Sequence, residues 1–163
     1  MPDLWRKTQG HCGSADLAIM PFRALSSDAG DDSFADGLTD ELIFALEHQS
    51  QLKLAPRLMV FQYKNRAYAL SEAAEKLGVG AVLHGTLRST AIRTRVTVEL
   101  SNPQGFVTWS AQVDEAAGEP FLLQEKLADA IVARMLAWIT GSTYVRPIQH
   151  LHAIDIERSM PAA

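Results

Sequence analysis

Arg93-Thr94-Arg95-Val96-Thr97-Val98-Glu99-Leu100 alternates throughout, with Thr94, Val96, Val98 and Leu100 on one face and Arg93, Arg95, Thr97 and Glu99 on the other. A period of two marks a half-buried strand, because successive side chains of a strand leave it on opposite sides. The segment before it, 81–88, is short and apolar. After it, Ser101-Asn102-Pro103-Gln104-Gly105 is a strong turn signal, and 106–113 returns with Val107, Trp109, Ala111 and Val113 on one side. Three strands joined by such short turns make an antiparallel meander.

The segments outside the meander change period. Towards the amino terminus, Leu17-Ala18-Ile19-Met20-Pro21-Phe22 is an apolar run closed by proline, the pattern of a strand buried on both faces. After an acidic loop, Phe34, Leu38, Leu42, Ile43 and Leu46 fall at helical spacing, with Ser33 expected as N-cap and Asp36 as its capping-box partner. A second short strand is expected at 52–55, ended by Pro56. Residues 58–68 are open between a helical turn and an aromatic-rich loop. Ser71 is expected to cap a helix that ends at Leu77, with Gly78 as its left-handed cap. Beyond the meander, Pro120 opens a long helix that stops at Gly141, its stripe formed by Leu123, Leu127, Ile131, Met135 and Trp138.

The expected order is β-α-β-α-β-β-β-α, an α/β (α+β) fold with a mixed five-stranded sheet packed by three helices. The domain is expected at 16–140, with a flexible leader or linker at 1–15 and a tail or linker at 141–163.

Composition narrows the function. The 163 residues, 47% hydrophobic and 21% charged, suit one globular domain with a real core. A net charge of −4 gives no global attraction for nucleic acid or anionic lipid. The single Cys12 cannot form an intramolecular disulfide, which fits a reducing compartment. No apolar run approaches the roughly 18 residues of a membrane span, and the polar start has no signal-peptide core, so no membrane insertion by this chain is expected.

Each candidate motif fails on spacing or context. Ala74-Glu75-Lys76-Leu77-Gly78-Val79 imitates the opening of a helix-turn-helix, but the next residues, Gly80-Ala81-Val82-Leu83-His84-Gly85, are apolar and suit a strand better than a recognition helix. The acidic set Asp28, Asp31, Asp32, Asp36, Asp40 and Glu41 fits no EF-hand frame and suits a helix amino terminus. His11-Cys12 and the His150/His152 pair lack partner ligands, so no metal site is expected. There is no G-x-S-x-G elbow, His84 and Asp114 have no nucleophile, and Gly78-Val79-Gly80 follows a helix where a dinucleotide fingerprint would follow a strand. The expectation is a protein that is not an enzyme and carries no cofactor. Arg57, Lys64, Arg66, Arg88, Arg93 and Arg95 concentrate positive charge on the central strands and loop, while the first helix is acidic, a polarity suited to a charge-complementary partner or self-association.

Several phrases taken together resemble the TolB-like amino-terminal domain family of bacteria. They are Ala18-Ile19-Met20-Pro21-Phe22, Phe34-Ala35-Asp36-Gly37-Leu38-Thr39-Asp40-Glu41-Leu42, Arg57 with Phe61-Gln62-Tyr63-Lys64, and Leu77-Gly78-Val79. They continue with Val82-Leu83-His84-Gly85-Thr86-Leu87-Arg88, Arg95-Val96-Thr97-Val98-Glu99-Leu100, Gly105 with Trp109, and Leu123-Gln124-Glu125. The resemblance spans 17–135. It departs at His84, where an acidic residue is usual, and at Ser89-Thr90-Ala91-Ile92, where a glycine-containing hairpin is usual. It implies a non-catalytic domain of bacterial signalling proteins, found beside class III adenylate cyclase or winged-helix transcription-regulator domains and before tetratricopeptide repeats. Related domains lie in the cytoplasm, the expectation here, or on the periplasmic side of a membrane-anchored parent.

The residues themselves suggest one site. Gly37 inside a helix costs about 1 kcal/mol relative to alanine, so it is expected to admit another backbone or a ligand. With Asp36, Phe22, Arg57 and Tyr63 it forms a candidate ligand cleft at the carboxyl ends of the first two strands, where open α/β sheets commonly bind ligands. The leading expectation is a regulatory domain working through protein partners or as a homodimer; a small-molecule sensor is the alternative. A DNA-binding module is a distant third, and no nucleic acid partner is expected.

Overall fold

The structure is a computed structural model that describes residues 15–26 and 29–141. Strands β1 (Leu17–Ile19) and β2 (Arg23–Ala24) both pair in parallel with β3 (Ala81–Ser89), which continues antiparallel through β4 (Arg93–Ser101) to β5 (Val107–Ala116). Helices α1 (Ala29–Gln49) and α4 (Pro120–Ile139) cover one face of this five-stranded mixed sheet. Two smaller helices, α2 (Arg57–Val60) and α3 (Leu70–Leu77), lie between α1 and β3. The α/β class and the mixed five-stranded sheet are those read from the sequence.

The membership of the sheet differs in one respect. The strand expected at 52–55 is reduced to one parallel bridge, Leu17 to Leu54. Lys53 O accepts from Asp16 N and Leu17 N, and Ala55 N donates to Leu17 O, but the next donor in that ladder, Arg57 N, already belongs to the first turn of α2 and the pairing stops. The fifth strand is β2. It continues the line of β1 after Met20-Pro21-Phe22 step out of register, with Met20 N on Leu83 O before the break and Leu25 N on Leu87 O after it.

The helices also differ at their beginnings. Helix α1 starts at Ala29 rather than after Ser33, with Asp31 and Asp32 in its first turn, where carboxylates suit the helix dipole. Asp36 therefore lies in the body of the helix and takes no part in a cap. Helix α3 begins at Leu70 after Ala69, so Ser71 is inside it and caps nothing, whereas Gly78 takes the expected left-handed cap with φ 65°. Residues 57–63 resolve as the turn α2 followed by a 3₁₀ turn, Phe61–Tyr63, a fourth helical element beyond the three expected. Helix α4 runs as predicted, and Glu119 caps it by accepting from Phe121 N and Leu122 N.

The hairpin between β3 and β4 has no glycine. Thr90 makes the turn instead: its N–H donates to Arg93 O, and its hydroxyl oxygen accepts from Ile92 N and Arg93 N. Between β4 and β5, Asn102 Oδ1 accepts from Gln104 N and Phe106 N, as the turn signal predicts.

The core lies between α1, α4 and the inner sheet face, where Leu83, Leu87, Val96, Val98, Leu100, Trp109, Ala111 and Val113 are buried. The opposite face is polar, with rows His84–Glu99–Ser110, Thr86–Thr97–Gln112 and Arg88–Arg95–Asp114. The leader at 1–14 and the tail at 142–163, with His11, Cys12, His150 and His152, lie outside the described residues. Among the described residues no helix is long and apolar enough to cross a membrane.

Candidate functional site

The phrase Asp36-Gly37-Leu38-Thr39-Asp40 on α1 faces four ways at once. Leu38 points into the core and is fully buried. Thr39 is also fully buried: its hydroxyl donates to Ala35 O and its oxygen accepts from Phe22 N at 2.9 Å. That bond satisfies the one backbone donor that the break between β1 and β2 removes from the ladder. Gly37 faces α4, where a β-carbon would overlap the side-chain amide of Gln124, itself donating to Phe34 O. The close approach expected of Gly37 is therefore made by a neighbouring helix.

Asp36 and Asp40 face the turn at 57–64. Arg57 forms a two-pronged ion pair with Asp40 and lies over the Phe61 ring, 4.0 Å from its centroid. The hydrogen bond to Asp40 raises the Arg57 pKa further, with the Asp36 charge adding to it. Lys64 reaches Asp36 and, at 3.2 Å, Asp32, and these contacts raise the ammonium pKa against the opposing effect of burial. Asp36 Oδ2 takes that ammonium, while Oδ1 is buried with no hydrogen-bond partner among the described residues.

A cleft of about 410 Å³ opens beside this cluster, lined by Pro21, Phe22, Arg23, Asp32 and the stretch 63–68. Of the five sequence-predicted site residues, Phe22 and Tyr63 line it. Asp36 adjoins it through Lys64. Gly37 faces α4, and Arg57 is spent on Asp40 beyond the rim. The ring of Phe22 packs under Gly85, whose missing β-carbon leaves it room.

Sequence reading misses Thr39, Lys64, Tyr68, Arg23 and Arg66 as members of this region. Lys64 and Gln124 stand in the quoted phrases, but nothing in a linear pattern says that they meet α1.

The polar sheet face holds a histidine and a serine in contact, His84 Nε2 to Ser101 Oγ at 2.9 Å, with Glu99 opposite His84 in the next strand. Burial lowers the His84 pKa from its ordinary 6.5, partly opposed by Glu99. Ser101 is 0% exposed, so no substrate reaches its hydroxyl. Asp114 is held at 2.7 and 2.8 Å by Arg95, away from His84. Among the described residues no three His, Cys, Asp or Glu side chains gather closely enough to hold a metal ion.

No protein-family model matches the chain. A Rhizobium meliloti (strain 1021) protein provisionally named adenylate cyclase 3 is 29% identical over 126 residues, 77% of this chain. The match spans only 22% of that relative's length. Two solved structures share the fold. Lipoprotein GNA1162 of Neisseria meningitidis is 18% identical and has a TM-score of 0.55, over 80% of this chain and 99% of its own. A subunit of the PelC dodecamer of Paraburkholderia phytofirmans, in a variant with one leucine replaced by methionine, is 14% identical and has a TM-score of 0.54, over 74% of this chain and 87% of its own. The likeness to these two is one of fold alone.

Proposed function

We propose that this chain is a non-catalytic interaction domain of a bacterial signalling protein, working through protein contacts made along the outer edge of β5. The observation that carries this reading is that edge. Strand β5 pairs with β4 on one side, and among the described residues no strand pairs with the other. Arg134 of α4 donates to Gln112 O at 2.8 Å, so the Gln112 carbonyl points outward. Residues two apart in a strand point the same way, so Ser110 also presents its N–H and C=O outward. At the start of the strand Phe106 is 71% and Val107 50% exposed. The buried Arg134 closes the edge at Gln112, and the part from Phe106 to Ser110, with apolar side chains at its start, is left as a template for a further strand.

The relative named as an adenylate cyclase supports a signalling parent, with this domain as a regulatory part. The association with winged-helix regulators and tetratricopeptide repeats rests on the TolB-like resemblance. The cytoplasm and the periplasmic side of a membrane-anchored parent are the two placements of this reading, and the lipoprotein neighbour brings the second into it. Self-association through the edge, which the dodecameric neighbour makes reasonable, gives the homodimer form of the reading.

Ser110→Pro tests it. Proline there removes an outward N–H and leaves the ladder to β4 intact. Light scattering over a range of concentrations is expected to show association of the parent chain, lost in Ser110→Pro at unchanged circular dichroism. A parent chain that stays monomeric, or a variant that associates equally, contradicts self-association through this edge.

A second reading, small-ligand sensing, is favoured by the cleft beside Lys64. A bound ligand stabilises the folded state, so thermal shift against a chemically mixed panel tests it.

A further inference from the structure

Resting on the ligand-sensing reading, we infer that the cleft between β2 and the turn at 63–68 takes a small organic anion with a planar ring. Its size falls within the range of small-molecule sites, about 300–1,000 Å³. Two of its walls are aromatic: Tyr63 and Tyr68 meet edge to face, with centroids 5.1 Å apart and planes at 68°. Such walls favour a flat, apolar ligand body.

The charge of the cleft selects an anion. Three cations line it, Arg23, Lys64 and Arg66, against one carboxylate, Asp32. Lys64 is committed to Asp32 and Asp36. Arg23 and Arg66 form no ion pair with any described residue, and both are exposed at the mouth. Burial raises the Tyr68 phenol pKa, and the Arg23 charge opposes that rise. Arg23 and Tyr68 line the same cleft. A guanidinium presents its donors in a flat fork that matches carboxylate and phosphate oxygens. Asn65, between Lys64 and Arg66, holds a left-handed φ of 60°, and Arg66 N donates back to Tyr63 O, so the turn is closed on itself. Lys64, Arg66 and the tyrosine wall therefore come from one short, internally bonded segment, and β2 supplies Arg23.

A matched set of naphthalenes separates ring from charge: 1-naphthyl phosphate, 1-naphthoate, 1-naphthol and 1-naphthylmethylamine, with inorganic phosphate alone as the ringless anion. Binding to the whole chain is followed by NMR titration, with the Tyr63 and Tyr68 signals as the local probe. The phosphate ester or the carboxylate is expected to bind at least tenfold tighter than the alcohol and the amine, and the stronger of the two names the anion. Arg23→Ala and Arg66→Ala, checked for an unchanged melting temperature, are each expected to weaken that anion severalfold and leave the alcohol unaffected. Equal binding of the alcohol, or preference for the amine, overturns the anion assignment and leaves ligand sensing standing. Inorganic phosphate binding as tightly as the ester overturns the ring. No shift at Tyr63 and Tyr68 with any compound overturns both the assignment and the sensing reading.

Discussion

A hydroxyl in the middle of a buried helix usually turns back on its own carbonyl, and Thr39 does so at Ala35 O. Its second task is at Phe22, whose N–H points away from the sheet where the edge strand breaks. Replacing Thr39 with valine keeps the shape and leaves that buried N–H without an acceptor, at a cost of about 1–3 kcal/mol. Urea unfolding is expected to show this loss for Thr39→Val and to show most of it restored in Thr39→Ser. His84 makes a second prediction at this scale. Burial lowers its folded pKa below 6.5, so between the two values the unfolded chain binds more protons. This histidine's contribution thus makes the protein less stable as pH falls through that window, and the loss is complete below the folded pKa. Melting temperatures from about pH 7.5 to about pH 5.5 are expected to fall more steeply in the parent than in His84→Gln, above the range where carboxylates titrate. Parallel curves would show that His84 is solvated in the folded state.

At the scale of elements, legibility follows the length of the pattern. Strand β4 is readable because eight residues alternate, and α4 because its apolar stripe is long and closed by Pro120 and Gly141. The beginning of α1 is harder to place because Ser33 looks like a cap, yet Asp31 and Asp32 already stabilise an earlier turn, and Ser26 donates to Asp31. The edge strand escapes sequence reading for a different reason. Pairing at 23–24 depends on β3 lying alongside and on Thr39 satisfying the break, and neither is a local property of Met20-Pro21-Phe22. The candidate site is legible in part for the same reason. Phe22, Asp36 and Tyr63 are marked by their phrases, and the region where they meet contains the cleft. Which cation serves which carboxylate is not legible. Arg57 goes to Asp40 and Lys64 to Asp36, and these pairings depend on how α2 and its 3₁₀ turn lie against α1.

The whole domain is closed at both of its ends by bonds that belong to the fold. At the start, Asp16 N donates to Lys53 O, its carboxylate accepts from Lys53 N, and its carbonyl accepts from Gly80 N, fastening the entry to β1 between two neighbouring segments. At the finish, Trp138 stands 6.5 Å from Trp109, and Gly141 N donates to Trp138 O just past the last turn of α4. Among the described residues, every buried core residue lies between these two ties. A chain cut to 15–141 is therefore expected to fold alone, unfold in a single transition and melt within about 2 °C of the full chain. A cut before Met135 removes a fully buried side chain and the cover of Trp109, which large-to-small core changes put at about 2–5 kcal/mol, or roughly 10 °C or more in melting temperature. Calorimetry on the two fragments decides the matter. A broad or much lowered transition for 15–141 would mean that the outlying segments contribute to the core, and the boundaries at 16 and 140 would have to move outward.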